Sequence, residues 1–172
     1  LFSVTLRQIG AYIGRMQLQD AVQVLRNGDG NNNPAQVFQI KDLSSSAALS
    51  YEALLEFWNR FDPYTMNTLL VSPDMMLAML KLPEFQNPLT GLNFQGTGTL
   101  ASPLGATLLR SSAVPAGTII GLDKNYALEQ VCAGDVSVEY DKLIDRQLER
   151  AAITSISGFA KLFAGASKVL SA

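Results

Sequence analysis

Five acids in one stretch, Asp135, Glu139, Asp141, Asp145 and Glu149, are the residues whose types and spacing come nearest to catalytic chemistry. Paired carboxylates of this kind can serve as general acid and base. Lys142, Arg146 and Arg150 are interleaved with them. Read as a helix, the stretch puts Lys142 three residues before Asp145 and Arg146 three before Glu149, close enough to pair. Read as a strand, it sends the charges toward an adjacent molecule. Either geometry favours an ion-pair ladder over an active site, and exposed pairs add little stability each.

The other candidates are weaker. Asp29, Asn31 and Asn33 have the 1-3-5 spacing of a calcium loop, but Pro34 and Ile40 stand where the loop needs Gly and a bidentate Glu. A helix-exit turn is the simpler reading. Gly96-Thr97-Gly98 lacks the following helix of a phosphate cradle, since Pro103 and a strand-like segment come next. Gly165-Ala166-Ser167-Lys168 has the wrong order for a phosphate loop. Cys132 is expected to be a small core residue. Met75, Met76, Met79 and Leu80 read as a packing face, and Trp58 with Phe57 and Phe61 as a core anchor. No catalytic, cofactor-binding or metal-binding residue is therefore assigned, and no cofactor is expected.

Composition points the same way. The 172 residues contain no His and one Cys. That excludes His-based triads, His-bearing zinc sites and internal disulfides. The formal net charge is −2, and only 16% of residues are charged, against about 25% in ordinary soluble domains. Arg and Lys are scattered, so no phosphate-tracking stripe can be drawn. The compact apolar run Met75–Leu80 is far shorter than the roughly 18 residues of a membrane span. No sequence-specific nucleic acid and no membrane is expected as a partner. A surface this poor in charge suits a subunit that meets neighbours.

The elements that must position these residues are legible from periodicity. Residues 3–26 read as one long helix, with Phe2, Leu6, Ile9, Ile13 and Met16 on a stripe, Leu18, Val22 and Leu25 continuing on a neighbouring one, Thr5 with Gln8 or Ser3 as cap, and Asn27-Gly28 as stop. Residues 27–36 are turn-rich, 37–40 a short extended piece, and 43–48 a connection. Ser50 caps a helix over 51–61, with Leu54, Phe57, Trp58 and Phe61 on one face. Residues 68–71 form a buried strand, and Ser72-Pro73-Asp74 starts a helix to about Leu82. Residues 84–103 read as a long loop. Segments 104–110 and 118–122 are strand-like and are joined through a turn at 114–117. Residues 126–131 are expected to be a short helix, 136–140 a half-buried strand, 153–163 extended, and 165–170 a closing helical turn. Residues 141–150 fit either class. The fold class is α+β.

The order of these segments is recognisable. The helix ending in LRNGDG, the segment VSPDMMLAMLKLPEF, the segment LGATLLRSSAVPAGTIIGLDKNYALE and the tail LIDRQLERAAITSISGFAKLFAGASKVL resemble the major capsid proteins of tailed phages, the Hong Kong 97-type coat fold. The resemblance implies a long spine helix packed on a late β-sheet as a peripheral domain, plus an axial α+β domain. It places 1–33 and 131–172 in the former and 34–130 in the latter. Coat proteins of this family carry an N-terminal arm and an extended loop before the spine helix. The sequence starts at the helix, so a trimmed core of a longer coat protein is expected.

The function implied is structural: a subunit of an icosahedral phage or prophage capsid enclosing viral DNA by symmetric self-assembly. Its partners would be copies of itself in pentamers and hexamers, with a scaffolding protein and a maturation protease. It would be found in the virion capsid and, during assembly, in the bacterial cytoplasm. An encapsulin-like shell is the near alternative. A small carboxylate-based enzyme or a phage adaptor module is the alternative of another class.

Overall fold

A computed structural model describes residues 2–30, 32–87, 103–146 and 148–172. Its first element is the expected long helix, α1 (Phe2–Asn27), whose 26 residues span about 39 Å. Only Val22 and Leu25 in α1 are buried. They belong to the second of the two expected stripes; Phe2, Ile9 and Met16 of the first remain about 40% exposed. Thr5 and Ser3 lie inside the helix, so neither caps it.

Two long strands give α1 its main support. β5 (Leu128–Leu143) and β6 (Leu148–Lys161) pair antiparallel from Leu128↔Lys161 to Leu143↔Leu148. Register shifts between Cys132 and Ser137 mark an irregularity in β5. Along β6, residues 151–157 alternate between half-buried and exposed. The half-buried set faces α1: Gln17 Nε2 donates to Ser155 Oγ and Ser157 Oγ, both at 3.2 Å. Near the free end of the hairpin, the Phe2 and Tyr140 rings meet at 6.2 Å.

The rest of the chain builds a five-stranded sheet. Its strands are β1 (Gln36–Gln39), β2 (Thr68–Val71), β3 (Thr107–Arg110), β4 (Thr118–Leu122) and β7 (Ser167–Ser171), in the order β1-β7-β4-β2-β3. β4 and β2 are antiparallel, as are β4 and β7, while the outer pairs β1–β7 and β2–β3 are parallel. Among the described residues, four helices accompany it: α2 (Ile40–Leu43), α3 (Tyr51–Asn59), α4 (Pro73–Leu80) and α5 (Pro83–Gln86).

One face of the sheet buries the main core, in which Phe57, Phe61, Leu54, Leu69, Val71, Met79 and Ile119 pack together. Ser50 caps α3 as expected, accepting from the Ala53 N–H at 3.2 Å. The Phe57 and Phe61 rings meet edge to face at 5.3 Å. They lie directly on Gly121: a Cβ there would stand 2.8 Å from Phe61 and 2.9 Å from Phe57. The other face packs Leu70, Ile120, Leu122 and Val169 against Val22 and Leu25 of α1.

Several expectations are corrected. Residues 126–131 form no helix. A turn held by the Ala127 N–H on the Asp123 carbonyl (2.9 Å) leads straight into β5, whose pairing with β6 overrides local propensity. Residues 167–171 are a strand, with helical character confined to a short turn at Ala164–Ala166. They pair with β1 and β4, apart from the hairpin to which the tail was expected to return. β3 and β4 are the two expected strands of 104–122, and both flank β2. Pro103–Gly105 is a short helical turn ahead of β3. Trp58 and Cys132 are exposed, not core. Trp58 lies off the buried stripe of Ala53, Leu54 and Phe57 on α3, and Cys132 lies in an exposed run of β5.

Phe57→Ala is expected to cost about 3–5 kcal/mol in a urea melt, as for other fully buried rings. Gly121→Ala, which adds one methyl group where two rings already touch the backbone, is expected to cost about 1–3 kcal/mol. A loss within error for either would show that the sheet face is not packed as described.

Candidate assembly surfaces

The acids that open the chemical reading do not converge. They are strung along the hairpin. Asp141 is paired with Arg150 directly across from it, and Glu149 stands opposite Lys142. Glu139 stands opposite Ala152, Asp135 falls in the irregular part of β5, and Asp145 lies in the turn. All five are exposed. The stretch is a strand hairpin, and the ion pair it shows, Asp141 with Arg150, lies within the chain on an open surface and does not reach an adjacent molecule. Among the described residues, no group of three His, Cys, Asp or Glu is placed to hold a metal ion. No helix among them is long and apolar enough to cross a membrane. Gly96-Thr97-Gly98 and Asn31 lie outside the described residues.

The calcium-like turn does different work. Gly28 takes a positive φ of 81° at the exit of α1, a conformation that glycine accepts without strain. Asp29 then donates its N–H to Asn33 Oδ1 at 3.0 Å and accepts the Lys161 N–H on Oδ2 at 3.0 Å. The Lys161 side chain is only 5% exposed, and its Nζ donates to the Leu25 carbonyl at 3.2 Å. Ser167 Oγ reaches the same carbonyl at 3.4 Å. A cation on the last carbonyls of a helix is favoured by the aligned peptide dipoles. Burial nonetheless lowers the pKa of the Lys161 ammonium, and the nearby Asp29 charge partly opposes that fall. Three separate elements, the end of α1, the end of β6 and the start of β7, are thereby fastened at one point. Periodicity did not single out Lys161; its only sequence signal is a charge between apolar neighbours.

Beside this joint lies an aromatic cluster. Tyr64, Tyr126 and Phe163 form a ring triangle with centroid separations of 6.0, 6.1 and 6.2 Å. Tyr126 and Phe163 are about half exposed. An open groove of about 480 Å³ adjoins it, lined by Trp58, Asn59, Asp62, Tyr64, Thr65 and Met66. Buried Asp123 shapes this region by accepting from the Thr65 N–H at 3.2 Å and Asn67 Nδ2 at 3.0 Å.

The outward face of the hairpin is uncovered. It presents Val131 and Ile156, 56% and 66% exposed, among small residues such as Gly134, Ala152 and Gly158. On α1, Val4, Tyr12 and Leu18 are likewise exposed. So much apolar surface on thin elements is suited to contact, not to catalysis.

A family model described as phage capsid protein matches residues 1–159. No curated protein matches the chain. Among solved structures, one described as Mycobacterium phage Che8 superposes with a TM-score of 0.75 at 12% identity, covering 99% of this chain and 63% of that one. The capsid of an empty GTA particle gives 0.72 at 13% identity, covering 99% and 66%. The holo-SrpI encapsulin complex of Synechococcus elongatus gives 0.61 at 18% identity, covering 96% and 63%. The chain thus spans about two thirds of the length of these relatives. The α+β fold is of the Hong Kong 97 type, as the segment order implied.

Lys161→Met is expected to destabilise the chain by about 1.5–3 kcal/mol, the range for hydrogen bonds made by charged groups. With its folded-state pKa below the ordinary 10.5, Lys161 binds fewer protons folded than unfolded in the window between those values. Its contribution to stability therefore rises with pH there. The cost of Lys161→Met in urea melts should grow from pH 7 toward pH 10.5. A cost that shrinks would show that pairing with Asp29 outweighs burial.

Proposed function

The chain belongs to the phage capsid protein family, and from that premise we propose that it is the structural subunit of an icosahedral phage or prophage head that encloses viral DNA by symmetric self-assembly. The observation that carries the proposal is the 26-residue α1 with two buried residues, backed by a two-stranded hairpin with an uncovered face. A two-stranded ribbon has little stability of its own. Such a unit gains its remaining burial from neighbours, and closed symmetry turns many modest contacts into a stable shell.

In this reading α1 and the β5–β6 hairpin form the peripheral domain, and the five-stranded sheet with its helices forms the axial domain. The boundary expected at residue 131 then falls at Leu128, and 167–171 belong to the axial domain. The partners are copies of itself in pentamers and hexamers. A scaffolding protein and a maturation protease act during assembly in the bacterial cytoplasm, before the protein resides in the virion. The role is non-enzymatic, in keeping with the spread of Asp135, Glu139, Asp141, Asp145 and Glu149 along an open surface.

An encapsulin-like compartment is the second reading, supported by the encapsulin superposition. The same measurement separates the two. Negative-stain microscopy of the protein as encoded by its gene should show closed particles of uniform size. Their ratio of absorbance at 260 and 280 nm should indicate DNA; particles filled with protein cargo would support the encapsulin reading instead. Small soluble particles alone, across a concentration series and with the scaffolding protein and protease co-expressed, would overturn both.

A further inference from the structure

The five-stranded sheet ends in two bare edges, and their geometry matches. β1 is parallel to β7, β7 is antiparallel to β4, β4 is antiparallel to β2, and β2 is parallel to β3. Two reversals cancel, so β1 and β3 run in the same sense at opposite edges. Each is four residues long.

The registers also line up. Val37 lies beside Val169, Val169 beside Ile120, Ile120 beside Leu70, and Leu70 beside Leu109. This is one continuous apolar row on one face of the sheet. Its three inner members are at most 8% exposed, but Val37 and Leu109 at its ends are 54% and 47% exposed. The row is finished in the middle and open at both ends.

Among the described residues, no strand pairs with either edge. The helix–hairpin unit joins the sheet at one end of the strands. α1 leads into the start of β1, β4 runs out into β5, and β6 leads into the start of β7. The pairs Gln36↔Lys168 and Leu122↔Ser167 put these connections at the same strand end. The two edges are thus lateral flanks of the sheet. Edge strands that stand alone are usually blunted by Pro, by charge or by a bulge. β1 reads Gln-Val-Phe-Gln, with none of these, and β3 carries only a terminal Arg110.

We propose that β3 of one copy pairs, in parallel, with β1 of the next copy, setting Leu109 beside Val37 of its neighbour and carrying the sheet across the subunit boundary. The inference rests on the capsid reading and adds to it the partner strand. The interface is heterologous: it uses two different flanks, and it closes into a ring where the rotation between copies is a whole fraction of a turn, as in the pentamers and hexamers of the shell reading. Rotation also keeps the same sheet face on the same side, which the shared face of Val37 and Leu109 requires. An isologous β3–β3 contact would be antiparallel and would leave β1 bare.

The test is cysteine cross-linking, made in Cys132→Ser because Cys132 is exposed. Neighbouring strands lie about 4.8 Å apart, within reach of a disulfide. Val37→Cys combined with Leu109→Cys, oxidised after assembly, should give a ladder of covalent multimers that a reductant collapses. Each single variant alone should stay monomeric on the gel. A mixture of the two singles should give dimers and nothing larger, which keeps the test valid if the double variant folds poorly. Dimers from Leu109→Cys alone would show isologous pairing and overturn the proposal. So would the absence of any cross-link. Uniform closed particles without a cross-link would sink the edge pairing and leave the shell reading intact; neither particles nor cross-link would sink both.

Discussion

The Leu25 carbonyl at the end of α1 is the point on which the two halves of the molecule depend. A helix end leaves its last carbonyls without partners, and burial makes that costly. Here the Lys161 ammonium and the Ser167 hydroxyl both answer the same oxygen. These donors come from the end of β6 and the start of β7, so satisfying one carbonyl fixes where the hairpin stops and where the sheet resumes. Asp29 completes the joint by holding the Lys161 backbone. The same joint places Val22 and Leu25 against Ile120 and Val169, the only deep burial that α1 achieves.

Away from that joint, α1 and the hairpin form a thin two-layer unit. Gln17 touching Ser155 and Ser157 shows polar contact where a larger domain would place a core. An isolated globular domain gains most of its stability by covering apolar surface from all sides. This unit covers one side only. The low charge fraction, the exposed Val131 and Ile156 and the bare sheet edges are then parts of one economy, which the neighbouring copies of the proposed shell would complete.

Much of this was legible in the sequence where local signals decide the outcome. The period of α1, the Ser50 cap, the Pro73 start of α4 and the apolar run of β2 all report on neighbours close in the chain. What was hidden depends on distant partners. Residues 126–131 look helical alone but extend because β6 lies alongside; the tail looks like a turn but is drawn between β1 and β4. Trp58 and Cys132 were assigned to the core by type, and types describe averages over single globular domains. In a subunit, an apolar residue has a second place to go. The interface candidates were missed for the same reason: the signal for Val37 and Leu109 is a row that exists only once five strands are assembled.

That row shows why reactive residues were the wrong place to look for the role of this chain. Catalytic chemistry concentrates in a few side chains and leaves a trace in their types and spacing. Assembly chemistry is carried by backbone edges and ordinary aliphatic side chains, whose types are indistinguishable from those of a core. The distinguishing property is incompleteness. Val169, Ile120 and Leu70 are the same kind of residue as Val37 and Leu109, in the same row, and differ only in having a strand on both sides. A monomer that leaves such a row open, with neither edge blunted, carries a standing tendency to add a strand. Matched direction and face make that tendency specific to one pair of edges, and a rotation between copies that divides a full turn is what separates a closed ring from open-ended addition.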